Sequence, residues 1–253
     1  MNGHLLQERR DYIEKKLLAE GRIRVADLAK YFNVSSETIR KDLIYLEKKG
    51  VAKKGYGGAV IASEFHEPSF VEKTSKYQQE KNSIARETIK QLSDGMVIMM
   101  DAGSTVYTVA RIMHEKKNVS VFTNSLKSAG ILDDSKVKTY ILGGEIRNNS
   151  NAIIGGWAIK SIGEINADIA ILGTSGFNER SGPCVENFPE AEIKRAMIKS
   201  AKKIIVVGDS SKANENAMIE YTPWESVDIF ITDKFLDDET FKVLSTKTKV
   251  IRA

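Results

Sequence analysis

Apolar residues recur at helical spacing in two neighbouring groups near the start of the chain. Val25, Leu28, Ala29 and Phe32 line one face of a first helix, and Ile39, Leu43 and Leu46 line one face of a second. Asn33 lies between them, a residue that tolerates the left-handed backbone of a helix stop. Ser35 and Ser36 follow with side-chain oxygens suited to cap the free amides of a new helix, and Gly50 stands where that helix should end. The second helix turns Ser36, Thr38, Arg40 and Lys41 outward. Two short helices around a three-residue turn, with hydroxyls and cations on the outer face, suit DNA phosphates and base edges. The same pattern fits an ordinary helical hairpin with a solvated face.

The next segment favours the first reading. Val51–Lys54 and Ala59–Ile61 read as short strands around Gly55-Tyr56-Gly57-Gly58, a basic hairpin placed as the wing of a winged helix. Lys53, Lys54 and Tyr56 would face the DNA backbone or minor groove. From 63 to 79 the chain is polar with little periodicity and reads as a linker. Tyr77–Leu92 is then helical, with Ile84, Ala85, Thr88, Ile89 and Leu92 on one face.

Beyond Met96 the pattern becomes short apolar runs alternating with helical stretches. The runs are Met96–Met100, Val119–Thr123, Thr139–Leu142, Ile169–Leu172, Ile204–Val207 and Ile229–Ile231. Continuous apolarity marks strands buried on both faces, and alternation with helices marks parallel βαβ units. The fold expected is α/β: an N-terminal winged helix-turn-helix domain (1–62), a linker (63–79) and a C-terminal open parallel-sheet domain (80–253).

In open parallel sheets ligands sit beyond the carboxyl ends of the strands. After the first run, Asp101-Ala102-Gly103-Ser104-Thr105 combines a glycine, two hydroxyls and a helix N-terminus, the makings of an anion site, although a capped turn without ligand has the same look. Asn124 and Ser125 follow the second run, Gly143-Gly144-Glu145-Ile146-Arg147 the third, Gly173-Thr174-Ser175-Gly176 the fourth and Gly208-Asp209-Ser210-Ser211-Lys212 the fifth. Five such loops at one edge suggest a pocket for a small phosphorylated sugar or polyol. The expected effector ligands are Asp101, Gly103, Ser104, Thr105, Asn124, Ser125, Gly143, Gly144, Arg147, Ser175, Glu190 and Lys212. For Arg147 a structural ion pair is an equal alternative.

Charge sharpens the division. Residues 1 to 62 carry 13 Lys+Arg against 8 Asp+Glu, a net of +5, and the rest of the chain 25 against 26, a net of −1, so the basic excess belongs to the helix-pair segment. No apolar run approaches the ~20 residues that span a bilayer. Met1 to Tyr12 is polar and charged with no secretory signal, so a cytoplasmic protein without membrane association is expected. Cys184 is the single cysteine, expected to be a buried thiol, and no Cys/His cluster has metal-ligand spacing, so neither metal nor cofactor is expected.

Taken in order, these motifs resemble the DeoR family of bacterial transcription regulators. The likeness runs through Val34–Leu43, Leu46–Gly50, Tyr56–Ala59, Asp101–Thr105, Thr123–Ser125, Leu142–Gly144 and Asp209–Lys212; Ser104 stands where the family commonly has threonine. The resemblance implies a winged helix joined to a sensor domain similar to the sugar-phosphate isomerase fold. It further implies homo-oligomers that repress sugar or polyol operons and are released from double-stranded operator DNA by a phosphorylated intermediate. Phosphates would be held by Lys41, Lys53 and Lys54, and bases read through Ser36, Thr38 and Arg40, with Ser35 beside them. An isomerase-like enzyme is the alternative, but Gly173–Asn178 offers no carboxylate as general base, leaving only Glu186 or Glu190.

Overall fold

A computed structural model describes residues 3–48, 52–55, 57–61, 68–133 and 137–253. Gly50 and Tyr56 lie outside the described residues, as do the side chain of Lys53 and part of the expected linker. The chain divides into two compact units, Met1–Pro68 and Ser69–Ala253.

The first unit runs α1 (Gly3–Glu20), β1 (Arg22–Arg24), α2 (Val25–Phe32), α3 (Ser36–Lys48), β2 (Ala52–Gly55) and β3 (Gly58–Ile61). Asn33 ends α2 in the left-handed conformation (φ 51°, ψ 48°), as its residue type predicts. The two apolar stripes meet Ile13 and Leu17 of α1 in one core, with Leu28, Ile39, Leu43 and Leu46 almost wholly buried. The strands form an antiparallel sheet in the order β1-β3-β2. Gly58 makes that order possible, because a Cβ there would lie 2.1 Å from the Ile23 carbonyl oxygen of β1.

The second unit begins inside the segment expected as linker. Ser69 accepts from the Glu72 amide and Glu72 returns to the Ser69 amide, a capping box that opens α4 (Phe70–Ser75). Phe70 is buried, edge-on to Tyr107 at 5.5 Å. Then follow α5 (Gln78–Lys90), β4 (Val97–Met100), α6 (Ser104–Arg111), β5 (Ser120–Thr123), α7 (Leu126–Asp133), β6 (Lys138–Ile141), β7 (Glu145–Arg147), β8 (Ala152–Ile154), α8 (Gly156–Gly163), β9 (Ala167–Gly173), β10 (Cys184–Val185), α9 (Phe188–Lys199), β11 (Ala201–Val207), β12 (Ile219–Glu220), β13 (Ile229–Thr232), α10 (Asp238–Ser245) and β14 (Lys249–Arg252).

Seven strands make one sheet in the order β14-β13-β11-β9-β4-β5-β6, every pairing parallel. All six apolar runs are strands of it. Their continuous apolarity resolves into two alternating sets: Ile98, Met100, Ile169, Ile171, Ile205 and Val207 pack on one face, and Met99, Ala170, Leu172, Ile204 and Val206 on the other. From β4 the chain moves outward through β5 and β6, then returns to place β9, β11, β13 and β14 on the opposite side. The reversal puts the switch point between β4 and β9, where an open α/β sheet forms its crevice. The β7–β8 and β10–β12 pairs are small antiparallel ribbons outside this sheet. Among the described residues no helix is long and apolar enough to cross a membrane.

Candidate functional site

In the first unit, α3 presents the outward face expected of it. Ser36, Arg40 and Lys41 are exposed and Thr38 is partly so. The Ser35 hydroxyl accepts from the Thr38 amide at 3.2 Å, capping the helix start, so Ser35 has a structural role beside any DNA contact. Arg40 lies 3.4 Å from Glu37, an exposed pair that another anion easily displaces. Glu47 ties α3 to the hairpin, accepting the Lys54 amide at 2.9 Å with the Lys54 ammonium 3.5 Å away, and that amide contact holds its carboxyl below the usual range.

In the second unit the carboxyl edge of the sheet gathers the expected loops, with several residues already engaged. Asp101 is 2% exposed; its Oδ1 accepts the Gly103 amide and its Oδ2 the Gly173 amide, both at 2.8 Å, and Lys194 from α9 pairs with the same carboxylate. Asp101 therefore ties the two strands across the switch point. Lys194 also donates to the Gly173 carbonyl at 3.0 Å, where the buried Tyr221 hydroxyl donates as well, at 2.9 Å. Burial pulls the Lys194 ammonium down to about 7, with Lys73 acting in the same sense.

Gly103 opens α6 without a side-chain cap, and Ser104 and Thr105 stand in its first turn, leaving amides there for an anion. By contrast the Ser125 hydroxyl already serves α7 by accepting the Ser128 amide at 3.1 Å. Asn124 is buried; its Nδ2 donates to the Ile153 carbonyl at 3.0 Å and its Oδ1 has no partner among the described residues. Gly144, at φ +155°, allows β7 to pass close to β8, since a Cβ there would meet the Ile154 carbonyl oxygen at 2.5 Å; Gly143 beside it is exposed. Arg147 lies 3.1 Å from Glu190, so these two expected ligands pair with each other. The Ser175 amide donates to the Cys184 carbonyl at 2.8 Å.

The loop after β11 brings Asp209 and Lys212, which the sequence marks, together with Lys81, which it does not single out. Asp209 is 1% exposed; Oδ1 accepts from the Ser211 hydroxyl and Oδ2 has no partner among the described residues. Lys81, from the first turn of α5, is buried and donates to the Lys73 and Lys76 carbonyls at the end of α4. Burial brings its ammonium down to about 8, the Asp209 carboxylate pulling it up and Lys212 pushing it further down. Asp209, Lys81 and Lys212 thus share one electrostatic neighbourhood at the sheet edge. A lysine in a polar helical stretch reads from sequence as a surface charge, which is why neither Lys81 nor Lys194 stands out there. Cys184 is buried, its thiol pushed up to about 11 by burial, as expected of a packed thiol rather than a nucleophile.

The DeoR-like helix-turn-helix domain matches residues 9–65, and the DeoR C terminal sensor domain matches residues 76–234. The chain belongs to the DeoR family. A DeoR-family relative, the HTH-type transcriptional regulator GlpR of Haloferax volcanii, is 31% identical over 92% of this chain and 92% of its own length. The glycerol-3-phosphate regulon repressor of Escherichia coli K12 is 29% identical over 89% of this chain and 90% of its own. Among solved structures, ribose 5-phosphate isomerase A from Methanocaldococcus jannaschii aligns with 53% of this DeoR-family chain and 54% of its own, at a TM-score of 0.39 and 19% identity, too slight a likeness to carry any argument.

Proposed function

We propose that this DeoR-family chain represses an operon for sugar or polyol catabolism and leaves its operator when a phosphorylated sugar or polyol binds the second unit. The observation that carries this reading is the pairing, in one chain, of a recognition helix that exposes Arg40 and Lys41 with a sheet edge that holds an uncapped helix start, two buried lysines and an unpartnered carboxylate oxygen. The first-turn amides of α6 and the cations Lys81 and Lys212 suit a phosphate. Asp209 Oδ2 and Asn124 Oδ1 suit sugar hydroxyls, which donate to buried acceptors that otherwise lack a partner. The names of the relatives, a glycerol-3-phosphate regulon repressor among them, point the same way.

The site is one for binding rather than turnover. Asp101 is occupied by two amides and Lys194, and Glu190 by Arg147, so neither is poised to move a proton next to a carbonyl. On DNA, two copies insert α3 into successive major grooves, with Lys41, Lys53 and Lys54 on phosphates and Ser36, Thr38 and Arg40 toward bases. The effector favours release only by binding the DNA-free arrangement more tightly. Selection of bound fragments from genomic DNA, followed by titration of phosphorylated sugars into the complex, tests the reading. Release by a phosphorylated sugar and not by its unphosphorylated form is expected; a complex indifferent to every phosphorylated sugar would contradict it.

A further inference from the structure

α3 carries a carboxylate on its inner flank, an unfavourable placement beside a polyanion. Asp42 is 1% exposed, and two arginines of α1 converge on it: Arg9 Nε at 2.6 Å from one oxygen and Arg10 Nε at 2.9 Å from the other. One guanidinium would neutralise the carboxylate. The second leaves an excess positive charge on side chains only 14% and 18% exposed, and a largely desolvated charge favours a nearby anion. Each arginine engages Asp42 through Nε, and the terminal amino groups of both have no hydrogen-bond partner among the described residues. Arg10 is further fixed by stacking its guanidinium 4.0 Å over the Tyr45 ring. Tyr45 and Lys41 lie one turn apart on the exposed side of α3, so Arg10 sits at the margin of that face.

We propose that Arg9 and Arg10 are DNA-backbone ligands, held by Asp42 so that their free guanidinium edges grip phosphate beside the groove that α3 enters. The assignment rests on the DNA-binding reading above and extends the contact surface from α3 and the hairpin to α1. Asp42 becomes a positioning residue, since its carboxylate fixes one edge of each planar fork and leaves the other preorganised for a phosphate. The opposite flank of α3 has a parallel arrangement, where Glu47 holds Lys54.

The test is the salt dependence of binding to a random-sequence duplex, followed by fluorescence anisotropy with the intact protein. Arg9→Gln and Arg10→Gln should each weaken binding about five- to tenfold near 0.1 M salt and reduce the slope of log K against log salt by about 0.9. Arg10→Lys, which keeps the charge, should keep the slope. An unchanged slope and affinity in both Gln variants would overturn the assignment while leaving the DNA-binding reading intact; a wild-type protein with no salt-dependent DNA binding would overturn both. A second measurement needs no variant. Arginine-directed modification of the wild-type protein, read by mass spectrometry, should show Arg9 and Arg10 protected by the duplex, and equal modification with and without DNA would also overturn it.

Discussion

At the scale of single residues, burial separates side chains that hold the site from those that meet a ligand. Asp101 pairs with Lys194 in the interior and accepts two amides, so Asp101→Ala strips all three of that acceptor and should cost about 3–5 kcal/mol. Urea denaturation checks this; a stability unchanged within error would mean that the pair does not hold the switch point together. Lys212→Ala should barely move stability and should abolish release of DNA by the effector, since its partly exposed ammonium has no ion-pair partner among the described residues. Arg40→Ala should cost about 1–3 kcal/mol of operator binding if it reads a guanine, with little loss on random DNA, measurable by competition binding.

If the proposed effector binds beside Lys81, its affinity should depend on pH. Burial brings its ammonium from the ordinary 10.5 to about 8, so the folded protein loses that proton before the unfolded chain does. This group's contribution to stability therefore rises as pH climbs from about 8 toward 10.5, whereas affinity for an anionic effector should begin to fall as pH rises through about 8. Isothermal titration at pH 7 and above pH 8 distinguishes this from a flat profile. One of the pairings at the site is legible in the sequence, because Arg147 suits an ion pair as well as a ligand, and it sits 3.1 Å from Glu190. Lys81 and Lys194 are hidden there because nothing in their immediate neighbours marks a lysine as buried.

At the scale of elements, pattern strength decides what is legible. All six apolar runs form sheet strands, but burial on both faces explains only five, since β6 is an edge strand with Tyr140 and Ile141 exposed. The helix pair is equally plain, with Asn33 turning where its side chain allows. α1 does not show in the sequence because its deepest apolar contacts are only Ile13 and Leu17 in an otherwise charged stretch, too few to set a period. β1 and β14 are obscured because Arg22-Ile23-Arg24 and Lys249–Arg252 mix charge with apolar residues at sheet edges. α4 is a single capped helix anchored by Phe70, shorter than periodicity can register. Gly58 yields a prediction at this scale: Gly58→Ala would drive a Cβ into the Ile23 carbonyl and separate β1 from β3. We expect about 1–3 kcal/mol of lost stability together with weakened DNA binding; a variant that binds DNA like wild type would show that the hairpin tolerates the change.

At the scale of the whole molecule, the functional division is visible in the charge distribution alone. The basic excess lies in the first 62 residues, and the remainder is nearly neutral with several buried ionisable groups drawn to one sheet edge. We propose that this edge recognises a phosphorylated small molecule. The most direct test is thermal unfolding of the intact protein against paired phosphorylated and unphosphorylated sugars and polyols, with Lys212→Ala measured alongside. A true effector at about a hundred times its dissociation constant should stabilise the wild-type protein by ~2.7 kcal/mol. We expect at least one phosphorylated compound to do so, its unphosphorylated partner to do little, and the variant to lose the response. Equal stabilisation by both partners of every pair, or none by any phosphorylated compound, would contradict the claim.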